Sequence, residues 1–224
     1  MIFQTKRIFS HLFIFIPLFL ITGPAIPDIV VTTSIVFGIL YLIFLKKYQE
    51  ILKVNFFKVS IIFWISLIFI SFFSYDKMNS FQDSIIFFRF LLIPFVAYYI
   101  FIKNDKLLLT LLILILLLVI FVCVDTLFQF FNYSSETGFG KDLIGFKSNW
   151  YGRLTGPFGD ELIPGSYISK FGLFGFAYLI ISKKFKKNIL VHSIYLSLIF
   201  IVTYVTGERM AFATYAMGLF FLFI

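Results

Sequence analysis

Apolar residues along this chain come in long runs separated by short polar breaks. Runs over 8–22, 29–45, 59–73, 84–102, 107–131, 166–182, 189–205 and 210–224 read as helices, with the first and last on the short side. Most approach the length that crosses a hydrocarbon layer, and a helix is the open-ended element that satisfies its own backbone hydrogen bonds in lipid. The pattern predicts an all-α, polytopic transmembrane helix bundle of about eight spans, forming a single domain over 1–224. One stretch breaks it. Between the fifth and sixth runs, residues 132–165 are polar and rich in Gly and Pro, and carry seven charges: Glu136, Lys141, Asp142, Lys147, Arg153, Asp160 and Glu161. Polar chemistry is to be sought there first.

Composition supports the membrane reading. At 61% hydrophobic residues, with 35 Phe and 12 Tyr, the chain has more apolar surface than a soluble domain of its length buries in one core. A net charge of +8 would suggest nucleic acid in a soluble protein, but here the lysines sit at the ends of runs and orient the chain instead. A cytoplasmic N-terminus puts Lys6, Arg7, Lys46, Lys47, Lys53, Lys58, Lys103, Lys106, Lys183, Lys184, Lys186 and Lys187 inside. It leaves Lys77, Lys141, Lys147, Arg153 and Arg209 outside, a ratio of 12 to 5, with Arg89 and Lys170 inside spans. The 132–165 loop then faces outward.

Several simpler readings fall away. Lys6 and Arg7 precede an apolar run, but no small-x-small cleavage site follows, which favours a short helical hairpin turning at Gly23-Pro24 and Pro27 over a signal peptide. The last run spans about 22 Å of helix and ends without a charged stop, as in the N-terminal part of a longer protein. A lone Cys123 excludes an intrachain disulfide and a thiolate metal cluster. No soluble-type phosphate loop is present, since Gly138-Phe-Gly140 lacks the required spacing. His11 and His192 lie near the cytoplasmic side and read as packing residues. Asn132-Tyr-Ser134 matches a glycosylation sequon, a weak pattern.

The remaining polar groups carry the candidate chemistry. Arg153 lies in a stretch with four glycines and two prolines over 152–165, which excludes a regular helix and leaves backbone N–H groups free. A guanidinium beside free amides suits a phosphate or diphosphate, because its fork holds two oxygens at once. The alternative is that Arg153 only pairs with Asp160 or Glu161 to fold the loop. Those two carboxylates are adjacent and point opposite ways in extended chain, so one holds structure and the other orients an acceptor hydroxyl or an arginine, unless both are structural. Asp125 and Gln129 stand four apart, on one helical face turned to the bundle interior. Arg89 lies within a span, about 9 Å of helix beyond Asp83, and either serves a substrate or snorkels toward that carboxylate. Thr206-Gly-Glu-Arg209 joins the last two runs on the outer face. Glu208 either neutralises Arg209 or leaves it to form a diphosphate clamp with Arg153.

At these residues the chain resembles the O-antigen ligase and O-antigen polymerase superfamily of bacterial envelope proteins. The matching elements are Asp125-Thr-Leu-Phe-Gln129, Gly145, Arg153-Leu-Thr-Gly-Pro-Phe-Gly-Asp-Glu161 with Gly165-Ser-Tyr, and Thr206-Gly-Glu-Arg209, covering about 125–215. The resemblance implies a metal-independent glycosyltransferase without cofactor, multi-pass in the bacterial inner membrane. It implies an undecaprenyl-diphosphate-linked glycan as donor and lipid A core or another lipid-linked glycan as acceptor, at the periplasmic face. Ligase and polymerase both remain open. By similarity Arg153 and Arg209 neutralise the diphosphate leaving group. From the residues themselves, and not from the resemblance, Glu161 is the candidate catalytic carboxylate, and Arg89, Asp125, Gln129, Asp160 and Glu208 are the candidates for substrate binding. The family's ligases use a histidine in a later periplasmic loop to activate the acceptor, and nothing in this chain corresponds to it, so these 224 residues by themselves are expected to bind the donor with little turnover.

Two other classes compete. A transporter or flippase of a lipid-linked or anionic solute would also place arginines in a bundle, but with polar groups continuing to the cytoplasmic side. Apart from Arg89 they gather on the outer face. A purely structural membrane protein would not require so dense a Gly/Pro/Arg/Glu loop.

Overall fold

The computed structural model describes residues 10–23, 25–44, 49, 53–101, 104–133, 138, 140–150 and 152–223. Lys6, Arg7, Pro24, Lys46, Lys47, Lys103, Ser134 and Glu136, which entered the reading above, lie outside the described residues. The described chain is mostly helical and carries an isolated antiparallel bridge between Lys141 and Lys147. Its helices include α1 (Ile16–Phe19), α2 (Ala25–Phe44), α3 (Asn55–Ser71), α4 (Lys77–Phe101), α5 (Asp105–Phe131), α6 (Pro164–Ile181), α7 (Ile189–Val205) and α8 (Arg209–Phe223).

Each long helix falls on an apolar run. By length and composition three are able to cross a membrane, within Ala25–Phe44, Lys77–Tyr98 and Asp105–Phe131. Asn55–Ser71, Ile189–Val205 and Arg209–Leu222 are apolar but shorter.

At three places local chemistry explains why the boundaries depart from the apolar runs. The first run is not one helix: Pro17 lacks an N–H and its ring crowds the carbonyl four residues back. The chain passes through α1 and a 3₁₀ turn, Leu20–Thr22, to Gly23 at φ 106°. Pro27, expected at the turn, instead lies in the first turn of α2, where proline costs no helix bond. Helix α4 starts seven residues before its apolar run, because Asp76 caps it. Its Oδ1 accepts from Asn79 N at 3.2 Å and its Oδ2 from Asn79 Nδ2 at 2.6 Å. Asn188 caps α7 through Val191 N at 3.2 Å.

The helices group into two compact units. The first holds Ala25–Leu107 together with residues up to Ile16, and the second holds Pro17–Pro24 and Leu108–Ile224. In the first, α4 packs against both α2 and α3. Trp64 of α3 donates its indole N–H to Ser84 O of α4 at 2.9 Å and lies 4.6 Å from the Phe88 ring. Arg89 of α4 forms an ion pair with Asp28 of α2 through both guanidinium nitrogens, and donates to Thr32 Oγ1 at 2.7 Å. The expected partner, Asp83, is therefore replaced by a carboxylate from another helix. Two helices packed side by side bring the charges together more directly than a side chain bent back along its own axis.

The second unit is built on one stripe of α5. Ile115, Val119, Val122 and Cys123 join Ile168 and Leu179 of α6, Ile199 and Val202 of α7 and Tyr215 of α8 in a single core. Spacings of three and four along α5 place these side chains on one face. Buried hydroxyls in this core find backbone acceptors: Tyr195 donates to Gly172 O at 3.1 Å, Tyr215 to Leu196 O at 2.9 Å and Tyr167 to Pro17 O at 2.9 Å. The same stripe continues into polar residues at Asp125, Thr126 and Gln129, all fully buried. These hold the loop.

Candidate functional site

The segment from Gly140 to Ile163 is fastened to the end of α5 at two points. Gln129 Oε1 accepts from Thr155 N at 3.0 Å and Gly156 N at 2.9 Å, while its Nε2 donates to Thr155 Oγ1 at 3.3 Å. Asp125 Oδ1 accepts from Leu143 N at 2.9 Å. A loop with few partners of its own thus has its backbone donors satisfied by side chains. The close approach requires glycine at 156: its φ is 49°, and a Cβ there would stand 2.6 Å from Thr126 Oγ1.

Within the loop, Ser148 Oγ donates to Arg153 O at 2.7 Å, Asn149 Nδ2 to Asp160 Oδ1 at 2.7 Å and the Trp150 indole to Asp160 O at 3.1 Å. Asp160 is therefore a loop-bracing residue and not a partner of Arg153. Glu161 is exposed, and its carboxylate takes no partner among the described residues. Asp125 and Gln129 share the inward face that their spacing predicts. Both are committed to loop backbone, and neither lines the cavity described next.

The turn between α7 and α8 provides the second half of the site. Glu208 is only 8% exposed, because its carboxylate reaches the start of α6: Oε1 accepts from Gly165 N at 2.7 Å, and Oε2 from Ser166 N at 3.0 Å and Ser166 Oγ at 2.7 Å. The first N–H groups of a helix have no partner within it, and their partial positive charge favours an anion, so Glu208 acts as a cap supplied from elsewhere in the chain. Gly165 leaves room for it. A Cβ there would meet Thr206 Oγ1 at 2.5 Å and Glu208 Oε1 at 3.0 Å.

This cap decides the state of Arg209. The sequence allowed Glu208 to neutralise its neighbour, but the carboxylate is turned to α6 instead. Arg153 and Arg209 line one cavity of about 460 Å³ together with Gly207, Glu208 and Met210. The Arg153 stem passes over the Gly207 turn, its Cγ 4.0 Å from where a Cβ on that glycine would lie. Neither guanidinium has an ion pair or hydrogen bond among the described residues, and Arg153 Nε is buried without a partner. Two unneutralised forks on one concave surface suit an anion with several oxygens.

Arg89 belongs to the first unit and is held there by Asp28 and Thr32. Among the described residues, no group of three His, Cys, Asp or Glu is placed to hold a metal ion. His192 packs edge-on against Phe176 with ring centres 5.4 Å apart, as a packing residue would. Asp142, which the sequence showed only as one of the loop's charges, closes a turn: it is 3% exposed, and its Oδ1 accepts from Gly145 N and Phe146 N at 2.6 Å each. Its signal was an Asp three residues before a Gly, a spacing that closes such turns.

Comparison of the chain with protein-family models, curated proteins and solved structures finds no match.

Proposed function

We propose that this chain is a membrane glycosyltransferase of the O-antigen ligase or polymerase type, with Arg153 and Arg209 forming a clamp for the diphosphate of a lipid-linked glycan donor. The observation that carries the reading is the cavity that Arg153 and Arg209 both line, while Glu208, which lines it too, has both carboxylate oxygens held by the start of α6. In the reaction an acceptor hydroxyl oxygen attacks the anomeric carbon and gives up its proton to solvent, the bond from that carbon to the diphosphate oxygen breaks with its electron pair going to that oxygen, and undecaprenyl diphosphate leaves as the anion. Negative charge grows on the diphosphate as the bond breaks, so fixed guanidiniums stabilise the transition state more than the ground state. Glu161, exposed and without a partner among the described residues, is the carboxylate assigned to orient the acceptor hydroxyl. The eight apolar runs are taken as eight crossings of a bacterial inner membrane, with the N-terminus cytoplasmic and 132–165 in the periplasm.

The test is transfer of a labelled undecaprenyl-diphosphate glycan in membranes carrying the parent protein, Arg153→Lys or Arg153→Ala. Lysine keeps the charge but loses the two-pronged geometry, so Arg153→Lys should lose most transfer at unchanged abundance. Undiminished transfer by both variants would remove the clamp, and with it the reading.

A further inference from the structure

Residues 141–147 form a small ordered hairpin. Lys141 and Lys147 pair in the isolated antiparallel bridge, and Asp142 N donates to Phe146 O at 2.8 Å. Asp142 Oδ1 closes the turn from inside through Gly145 N and Phe146 N, and Leu143 N ties it to Asp125 of α5. With its polar backbone groups satisfied inward, the turn displays apolar side chains outward: Leu143, Ile144 and Phe146 are 50%, 54% and 47% exposed.

The lysines supply an independent observation. Directly opposed residues of an antiparallel bridge point to the same face, with Cβ atoms about 5 Å apart, where like charges repel. Both ammonium groups are exposed, and neither has a carboxylate partner among the described residues. Asp142, beside Lys141 in sequence, is turned inward and held on the backbone. An anion lying across the two lysines would relieve the repulsion. An apolar tip flanked by paired cations is the arrangement with which interfacial segments enter a bilayer, the apolar groups below the headgroups and the ammoniums at phosphate level.

We propose that the 141–147 hairpin is a bilayer-docking wedge, which inserts Leu143, Ile144 and Phe146 into the facing leaflet and sets Lys141 and Lys147 on the phosphate of an anionic phospholipid. The wedge is independent of any diphosphate at Arg153 and Arg209. It is tested with the protein in nanodiscs of phosphatidylcholine alone or mixed with phosphatidylglycerol. An environment-sensitive fluorophore is placed at Ile144→Cys, and in a second protein at Leu143→Cys, both in a Cys123→Ala background. Blue-shifted emission, quenched by lipids brominated on the upper acyl chain, is expected, with quenching at least doubled by phosphatidylglycerol. Lys141→Gln/Lys147→Gln should abolish that increment with the thermal unfolding midpoint unchanged, and inorganic diphosphate in solution should not displace the probes. Water-like emission without quenching at both positions would sink the wedge. An increment that is missing in the parent, survives the double substitution or is removed by free diphosphate would overturn the assignment of the lysines to phospholipid.

Discussion

Glu208 and Ser166, 42 residues apart in sequence, are joined twice: one carboxylate oxygen of Glu208 accepts both the backbone N–H and the hydroxyl of Ser166. The turn that presents Arg209 is thereby tied to the start of α6. Among the described residues Arg209 has no counter-charge, its neighbour being occupied. Glu208→Ala should cost about 2–3 kcal/mol, since it leaves buried donors at Gly165 and Ser166 unpaired. Glu208→Gln should cost less, about 1 kcal/mol, because one amide oxygen still accepts. Unfolding midpoints in detergent would measure the series, and equal losses for the two variants would contradict capping as the source.

Gly165 should tolerate no side chain. A Cβ placed there meets Thr206 Oγ1 at 2.5 Å, so Gly165→Ala has to push the 206–208 turn away from α6. A loss of about 1–3 kcal/mol is expected from overpacking, with transfer activity falling alongside. Wild-type stability and activity in this variant would mean that the turn moves freely and does not position Arg209.

Gln129 should govern the order of the loop without touching the ligand. Gln129→Ala leaves Thr155 N and Gly156 N without acceptors, at about 1–3 kcal/mol for each buried group. Hydrogen exchange over 152–160 should speed up while α7 and α8 stay protected. Unchanged exchange in the loop would assign its order to other contacts.

Arg89 and Asp28 should behave as a unit. Either Arg89→Gln or Asp28→Asn leaves one charge without its partner, so the double variant should lose less than the sum of the singles. A coupling of about 1 kcal/mol or more is expected in a double-mutant cycle. Additive losses would show that the pair contributes nothing to the packing of α2 on α4.

Topology has a direct test at exposed positions. Single cysteines at Lys147 and Lys184, in a chain with Cys123 replaced, should label differently with a membrane-impermeant thiol reagent in intact spheroplasts. Position 147 should react and 184 should be protected until the membrane is opened. The reverse pattern would invert the protein.

The helices were legible from the apolar runs alone, because burial of an apolar face in core or lipid dominates the energy of each segment. Helix α7 matches its run residue for residue, and the ends of the other long helices shift by up to seven positions, the largest shift falling where Asp76 caps α4. The inward face of Asp125 and Gln129 followed from their spacing, because helical geometry fixes which residues share a side. The partners of polar groups did not follow. Glu208 had two outlets, Arg209 beside it and the α6 terminus 42 residues away, and the choice depends on which donors α6 brings within 3 Å. Asp160 and Arg89 likewise take partners 11 and 61 residues distant. A sequence lists charges and their order. Which of them are neutralised, and which are left facing a cavity, is decided by distances of a few ångströms that exist only once the helices have packed.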